Sequence, residues 1–402
     1  MTDWRWRLLG AATLVQAGLS VAELGLPLLV GFFKADFHTS TTVAGLVVSS
    51  YYGGKFLGSY FAGRISDHVG EVVVITTGAS VAATILICAA FLPLAALVPV
   101  LALAGLAGAG STPAGGRLVW QTFPPNRRGL ALGIRQTGVP LGGVLASCTL
   151  PAIAHATSWR TSVVSASVVA LASVVPLFAL RRHGRLEPPA RIETARRPIN
   201  SDVRWLTVWG CLAMTGQFVV LTYLPLDAHA RAHMSLPTAG LLAAAAQASG
   251  IAGRIAWGLV SDRSPGRGRR SLLLVLTLSS AAAVAIVFAL PRESPLAVWL
   301  VAAALLGMTA IGFQGLWLTM LTEVSDPQSV GAATGFAVMC TIGSVTATPV
   351  LFGAFADWLG TYRSVWLLLV AVLGVSLFPI SRLQRAAVRA SAGVGTGVRP
   401  VP

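Results

Sequence analysis

The chain of 402 residues is 55% apolar, and its 42 glycines lift the combined share to roughly 65%, where soluble domains hold about 45–50%. Charged residues make up 11% and the mean hydropathy is +0.75. That excludes a water-soluble globule, which cannot hide so much apolar surface, and a disordered chain, which needs the opposite composition. A formal charge of +15, from 29 Lys and Arg against 14 Asp and Glu, would raise nucleic acid as a partner for a soluble protein. In a membrane protein it first asks which loops hold the basic residues. Cys88, Cys148, Cys211 and Cys340 all fall in apolar runs, and their spacing suggests neither a disulfide framework nor a metal cluster.

A bilayer-crossing helix needs about 20 mostly apolar residues. Twelve stretches qualify: 8–33, 40–65, 71–94, 96–121, 128–154, 160–180, 203–228, 236–261, 270–290, 296–322, 329–355 and 362–381. The first is too long for the apolar core of a cleavable signal, so no leader is expected. Between the sixth and seventh spans lies RRHGRLEPPARIETARRPINSD, a polar, Arg-rich, Pro-containing connection that reads as a linker. The expected organisation is a six-helix bundle over 1–183, a cytoplasmic linker over 184–202, a second six-helix bundle over 203–388 and a disordered tail over 389–402.

With both termini inside, 20 basic residues fall on the cytoplasmic side, 5 outside and 4 within spans. Such a bias fixes the orientation, with the chain in the cell inner membrane and both termini cytoplasmic. Anionic lipid then becomes the partner of the basic surface and nucleic acid is not needed.

The two halves repeat one another. Gly58, Gly63, Ser66 and Asp67 match Gly253, Gly258, Ser261 and Asp262 at a shift of 195, and Gly129 and Gly133 match Gly331 and Gly335 at 202. Parallel six-helix repeats with a site between them near the midplane are a transporter plan. Small residues such as Gly63 and Gly258 allow close helix approach. Asp67 and Asp262, with Arg263 beside the second, stand where a carboxylate can meet a helix N-terminus or an Arg.

GRISDHVGE over 63–71 and GLVSDRSPGRGRR over 258–270 resemble the loop signature of the major facilitator superfamily, although His68 and Glu71 stand where that family carries basic residues. The resemblance spans essentially the whole chain. It implies an all-α fold of 12 transmembrane helices in two pseudo-symmetric bundles that alternate access, with Gly63, Asp67, Gly258, Asp262 and Arg263 as a gate. Around the fifth span, Arg127-Arg128-x-Leu130-Ala131-x-Gly133 followed by Gly138 is similar to the monocarboxylate-porter branch. So is SGIAGRIAWGLVSD in the eighth span, where the resemblance puts the substrate-carboxylate Arg at Arg254. Gly250 stands where that branch carries an Asp used in proton coupling.

Charges inside spans carry the functional reading, since each costs about 2.5–3.5 kcal/mol at a helix centre and normally faces a cavity or a partner. Arg254 and Arg135 lie about seven residues, roughly 10 Å, from the cytoplasmic ends of their spans. Two guanidiniums at matching depth suit a carboxylate; snorkelling or an internal partner is the structural alternative. Glu23 is either a proton carrier or the counter-charge of Lys55 or an Arg. Arg117 is expected to snorkel. Gln16, Gln121, Gln136, Gln247 and Gln314 punctuate apolar helices, and Tyr51, Tyr52 and Gln314 are candidate lining residues. Trp205, Trp209, Trp317, Trp358 and Trp366 read as an aromatic belt. His229 and His233 lack a third ligand, so no metal is expected, and no nucleotide motif or other cofactor signature appears.

The sequence thus points to a secondary transporter moving a small organic anion, a monocarboxylate by resemblance, with a proton as candidate coupling ion and a monomer sufficient. A proton-coupled exporter of lipophilic compounds or drugs is the rival reading. An enzyme embedded in the membrane is a distant one, because the spans lack the His and acidic constellation it would need.

Overall fold

A computed structural model describes residues 3–180, 199–263, 267–325 and 330–383. The linker expected over 184–202 falls outside them up to residue 198, as does the tail over 389–402. The described residues form twelve long helices, some of them broken, each coinciding with one of the twelve apolar stretches. Ten of them are long and apolar enough over the described residues to cross a membrane. They are α1 (3–36), α2 (Thr41–Val69), α3 (Glu71–Ala89), α4 (Leu94–Thr122), α5 (125–156) and α6 (Trp159–Leu180). The second half follows with α7 (Ser201–Ala232), α8 (Leu236–Asp262), α9 (Arg267–Ala289), α10 (Leu296–Val324), α11 (Val330–Leu359) and α12 (Arg363–Arg382). The linker gives way to helix slightly early: the Asn200 side chain accepts a hydrogen bond from the Val203 amide and starts α7 at Ser201.

Prolines break the longer spans where their missing N–H groups leave a carbonyl free. α4 is interrupted at Ala109–Gly110, four residues before Pro113, and α5 at Thr137, just before Pro140. In α1, Pro27 cannot donate to the Glu23 carbonyl, and the Tyr52 hydroxyl donates to it instead at 3.2 Å. α10 contains a π-helical stretch, Gly307–Ile311, a local widening often found at functional sites.

Small residues, rather than hydrophobic drive, bring helices together in lipid. A methyl on Gly54 would lie 1.7 Å from the Ala102 carbonyl oxygen, and one on Gly105 would lie 1.9 Å from that of Tyr51. α2 and α4 therefore touch backbone to backbone. Their counterparts α8 and α10 meet the same way through Gly253 against Met308 and Gly307 against Ala246. Gly58 and Gly253 are the repeat pair read from the sequence, so the internal repeat is a repeat of packing.

The aromatic-belt expectation needs correcting. Trp209, Trp317 and Trp366 are 3%, 2% and 0% exposed, and their indole N–H groups donate to Thr277, the Leu206 carbonyl and Asp227. A buried indole needs such an acceptor. Trp358 does face outward, at 76%.

Candidate functional site

The halves meet along two helix pairs, α2 with α11 and α5 with α8. We call the end holding Arg5, Arg127, Arg263 and Arg382 the basic end. At the far end the seam is closed. Asp357, near the end of α11, accepts from the amides of Thr41 and Thr42 at 3.1 and 2.7 Å and from the Thr42 hydroxyl at 2.6 Å. It thus caps the start of α2 from the other half. Beside it, Lys34 donates to Thr41 and to the Tyr362 hydroxyl, each at 3.2 Å, and lies 5.5 Å from the Tyr362 ring centre. Gly45 presses on Pro349, Gly353 on Thr41 and Gly240 on Pro151 and Ser147. Toward the basic end, Gly133, Gly258 and Gly335 have nothing within 4 Å of where a side chain would start. The seam is tight far from the basic end and parts toward it.

Arg254 lies where the α5–α8 pair separates. Gly240 and Gln247 both face α5, the second through Gly143. Seven residues are two turns, so 240, 247 and 254 share one helix face. Arg254 is half-buried, its Nε is buried without a hydrogen-bond partner, and it forms no ion pair among the described residues. Its helix is held from behind by α10: Gly315 sits against the Arg254 carbonyl, and the Trp257 indole donates to the Met308 carbonyl within the π-helical stretch at 3.0 Å. A methyl on Gly250 would lie 2.7 Å from Ile311, so the π-helical stretch leaves no room for a larger side chain at that position.

Arg135 has different surroundings. It is 2% exposed, and its Nη2 donates to the Ser111 carbonyl at 2.5 Å and to Gln16 Oε1 at 3.1 Å. The guanidinium lies over Gly115, where a methyl would come within 2.1 Å of Cζ. All these neighbours belong to α1 and α4, so Arg135 is turned into its own half, whereas the sequence expectation set both arginines over the space between the halves. The α5 face that meets α8 runs through Pro151, Ser147 and Gly143, and two turns on it reaches Gln136, which is exposed.

Glu23 and Lys55 pair across α1 and α2, with Lys55 Nζ 2.6 Å from both carboxylate oxygens and side-chain exposures of 13% and 12%. Tyr51 and Tyr52 are both 2% exposed; their rings meet edge to face, and that of Tyr52 also meets Phe218 of the other half, 4.9 Å away. Gln314 donates to Gln217 Oε1 at 3.2 Å within the second half. Of the gate residues, Gly63 and the side chains of Asp67 and Asp262 lie outside what the structure describes. Gly258 stands in open space, and Arg263 is exposed, 3.4 Å from the Leu259 carbonyl one turn back.

Several contacts escaped the sequence reading. Arg117, expected to snorkel, pairs at 3.2 Å with Glu71, which is 4% exposed and also accepts from Gln121. Asp227 is fully buried, accepts from the Trp366 indole at 2.7 Å and pairs with Arg231, which lies 5.0 Å from the Trp299 ring centre. The Asp357 latch joins residues more than 300 apart, which no local signal reveals. One signal was available: an Asp followed four residues later by an Arg on a helix, as in Asp227 and Arg231, is a standard pairing distance.

The family model for the Major Facilitator Superfamily matches residues 9–341 and 232–400. Among curated relatives, an uncharacterised MFS-type transporter of Mycobacterium tuberculosis is 29% identical over 394 residues, covering 96% of this chain and 85% of its own. The hexuronate transporter of Bacillus subtilis is 25% identical, covering 92% of each chain. Among solved structures, a bacterial homologue of the human lysosomal transporter Spinster, inward-facing and unoccupied, aligns with a TM-score of 0.79 at 14% identity, covering 96% of this chain and 98% of its own. A D-xylose–proton symporter aligns at 0.77 and 16%, covering 96% and 99%. These structures share the fold. Two six-helix halves, the repeated glycine seams and a family match over nearly the whole length make this chain a member of the Major Facilitator Superfamily.

Proposed function

We propose that the chain is a secondary transporter that carries a small organic anion by alternating access, and that Arg254 receives the anion's carboxylate. The observation carrying this reading is a half-buried guanidinium, set where α5 and α8 part, that makes no hydrogen bond or ion pair among the described residues, whereas Arg135, whose Nε is likewise unpartnered, is held through its Nη2. An unpaired guanidinium at that depth is costly, and a carboxylate supplies the two parallel acceptors that fit its fork. Gln136 and Gln247, on the facing helix surfaces, are the neutral hydrogen-bonding groups nearest in register. The name of the Bacillus relative, a hexuronate transporter, supports an acidic cargo without identifying it. On this reading the basic end faces the cytoplasm, the described conformation is open inward, and Asp67 and Asp262 belong to the gate that closes it. Arg135, enclosed by Gln16, Ser111 and Gly115, serves the first half as a structural cation, and Tyr51 and Tyr52 form a layer behind the ion pair of Glu23 and Lys55.

The test is the thermal stability of purified protein against a panel of carboxylates, sugar acids, amino acids and lipophilic cations. At least one carboxylate is expected to raise the melting temperature in the wild type and not in Arg254→Gln. Stabilisation by lipophilic cations alone would support the exporter instead.

A further inference from the structure

We infer that the start of α2 is a second anion site, used from the far side: a carboxylate of the cargo settles where the Asp357 carboxylate lies while the far end is closed, beside Lys34. The inference rests on the reading of the cargo as a small carboxylate, and not on Arg254 as its anchor.

A helix leaves its first amides without partners. One of them is served locally: the Ser40 hydroxyl accepts from the Val43 amide at 3.3 Å. The amides of Thr41 and Thr42 have no acceptor within the first half. With the Thr42 hydroxyl they donate to Asp357 of the second half, at 3.1, 2.7 and 2.6 Å. The place is built for a carboxylate and holds one, but that carboxylate belongs to the half that moves away. Lys34 adds a charge beside it. Its Nζ, the Thr41 hydroxyl and the Tyr362 hydroxyl form a triangle with sides of 3.2 Å. Lys34 and Thr41 stay with the first half, while Tyr362 leaves with the second. Lys34 forms no ion pair among the described residues, and Asp36, two positions on, is taken by Trp159 and Arg160.

As the far end opens, Asp357 and Tyr362 withdraw together. They leave behind two helix-end amides, the Thr42 hydroxyl and an ammonium that has lost an oxygen partner. A helix N-terminus with an adjoining cation attracts an anion, and the guest that fits is the kind of group just removed. Its oxygens replace those of Asp357 on the amides, and the Tyr362 oxygen marks where Lys34 and Thr41 receive one. Asp357 is exposed, so the place borders solvent and an anion in the far compartment reaches it as the halves part. In the closed state Asp357 excludes the guest. Binding therefore favours the open state alone, and multiplies the odds of opening by one plus the ratio of anion concentration to Kd. Cargo outside opens its own gate, with Asp357 as its internal competitor.

Double electron–electron resonance in nanodiscs tests this. Spin labels are placed on Ala156 and Arg292, exposed residues at the far ends of the two halves, in a chain whose four natural cysteines are replaced. Acetate, L-lactate and D-glucuronate are titrated in turn, with chloride at equal ionic strength as the control, both with Arg254 present and in Arg254→Gln. At least one carboxylate is expected to raise the fraction showing a lengthened distance where chloride does not, about tenfold in odds at roughly ten times its Kd. The response is expected in Arg254→Gln as well, because the site at the start of α2 is separate from the central one.

Two variants in the Arg254→Gln background separate a binding site from a mere clamp. Lys34→Gln is expected to weaken the Kd read from the odds about threefold to tenfold, between a screened ion pair and a charge-assisted hydrogen bond. Asp357→Ala leaves the place vacant in both states, so opening rises without anion and anion adds nothing further. Equal responses to chloride and carboxylates overturn the site while leaving the anion reading intact. So does a response that vanishes in Arg254→Gln, or one that Lys34→Gln and Asp357→Ala leave unchanged. No response from a protein that carboxylates stabilise thermally has the same meaning. If carboxylates neither stabilise the protein nor open it, the anion reading falls as well.

Discussion

Asp357→Ala should loosen the closed end without disturbing either half. The carboxylate takes two backbone amides and one hydroxyl from the first turn of α2, the work of a helix cap delivered from the other half. Loss of a cap costs typically about 1 and up to about 2 kcal/mol. Asp357 is exposed, so screening keeps the value near the lower half of that range. A change of about 1–1.5 kcal/mol corresponds to roughly 5–12-fold in a two-state population. Ser49 is 4% exposed on the α2 face between Gly45 and Gly53, which meet Pro349 and Thr346 of α11. In a chain whose four natural cysteines are replaced, Ser49→Cys reads that population in nanodiscs, and its reaction with a hydrophilic maleimide should accelerate by about that factor. Asp36→Ala is the matched control. Asp36 takes the Trp159 indole at 2.9 Å and Arg160 at 2.8 Å, so it occupies the same end but bonds only within its own half. If Asp357→Ala leaves the rate unchanged, or Asp36→Ala raises it equally, the latch does not hold the halves together.

Two further substitutions probe the first half. Lys55→Met strands Glu23 and is expected to lower unfolding stability by about 3 kcal/mol, while Glu23→Gln with Lys55→Met should recover most of it; additive losses in the double variant would mean the pair is not coupled. Gly115→Ala places a methyl where the Arg135 guanidinium lies and should cost more than about 2 kcal/mol. Its neighbour Gly116, with nothing within 4 Å, should accept Ala with little change in melting temperature. Equal responses at 115 and 116 would contradict the described seat of Arg135.

Hydropathy made the fold legible because a membrane helix is defined by composition over about 20 residues. All twelve spans could be placed, and even the proline breaks in α4 and α5 follow from local chemistry at Pro113 and Pro140. The repeat was equally visible, since Gly58 and Gly253 must stay small to let helices touch. Side-chain direction was not. Arg135 and Gln136 differ by one position, about 100° around the helix, and that step decides which faces the other half and which turns toward Gln16. Depth alone grouped Arg135 with Arg254. Partners remote in the chain were also hidden: Glu71 gave no sign of meeting Arg117, nor Asp357 of meeting Thr41. The tryptophans near span ends read as a belt because position along the axis was known and position around it was not.

The central claim is that an anion binds at Arg254, and titration calorimetry tests it most directly. The carboxylate that best stabilises the wild type is titrated into wild type, Arg254→Gln and Gln136→Ala. A charge-assisted bidentate contact contributes on the order of 1.5–3 kcal/mol, which at about 1.4 kcal/mol per decade predicts a tenfold to hundredfold weaker Kd in Arg254→Gln, with a smaller loss in Gln136→Ala. Unchanged affinity in a folded Arg254→Gln protein would contradict the account.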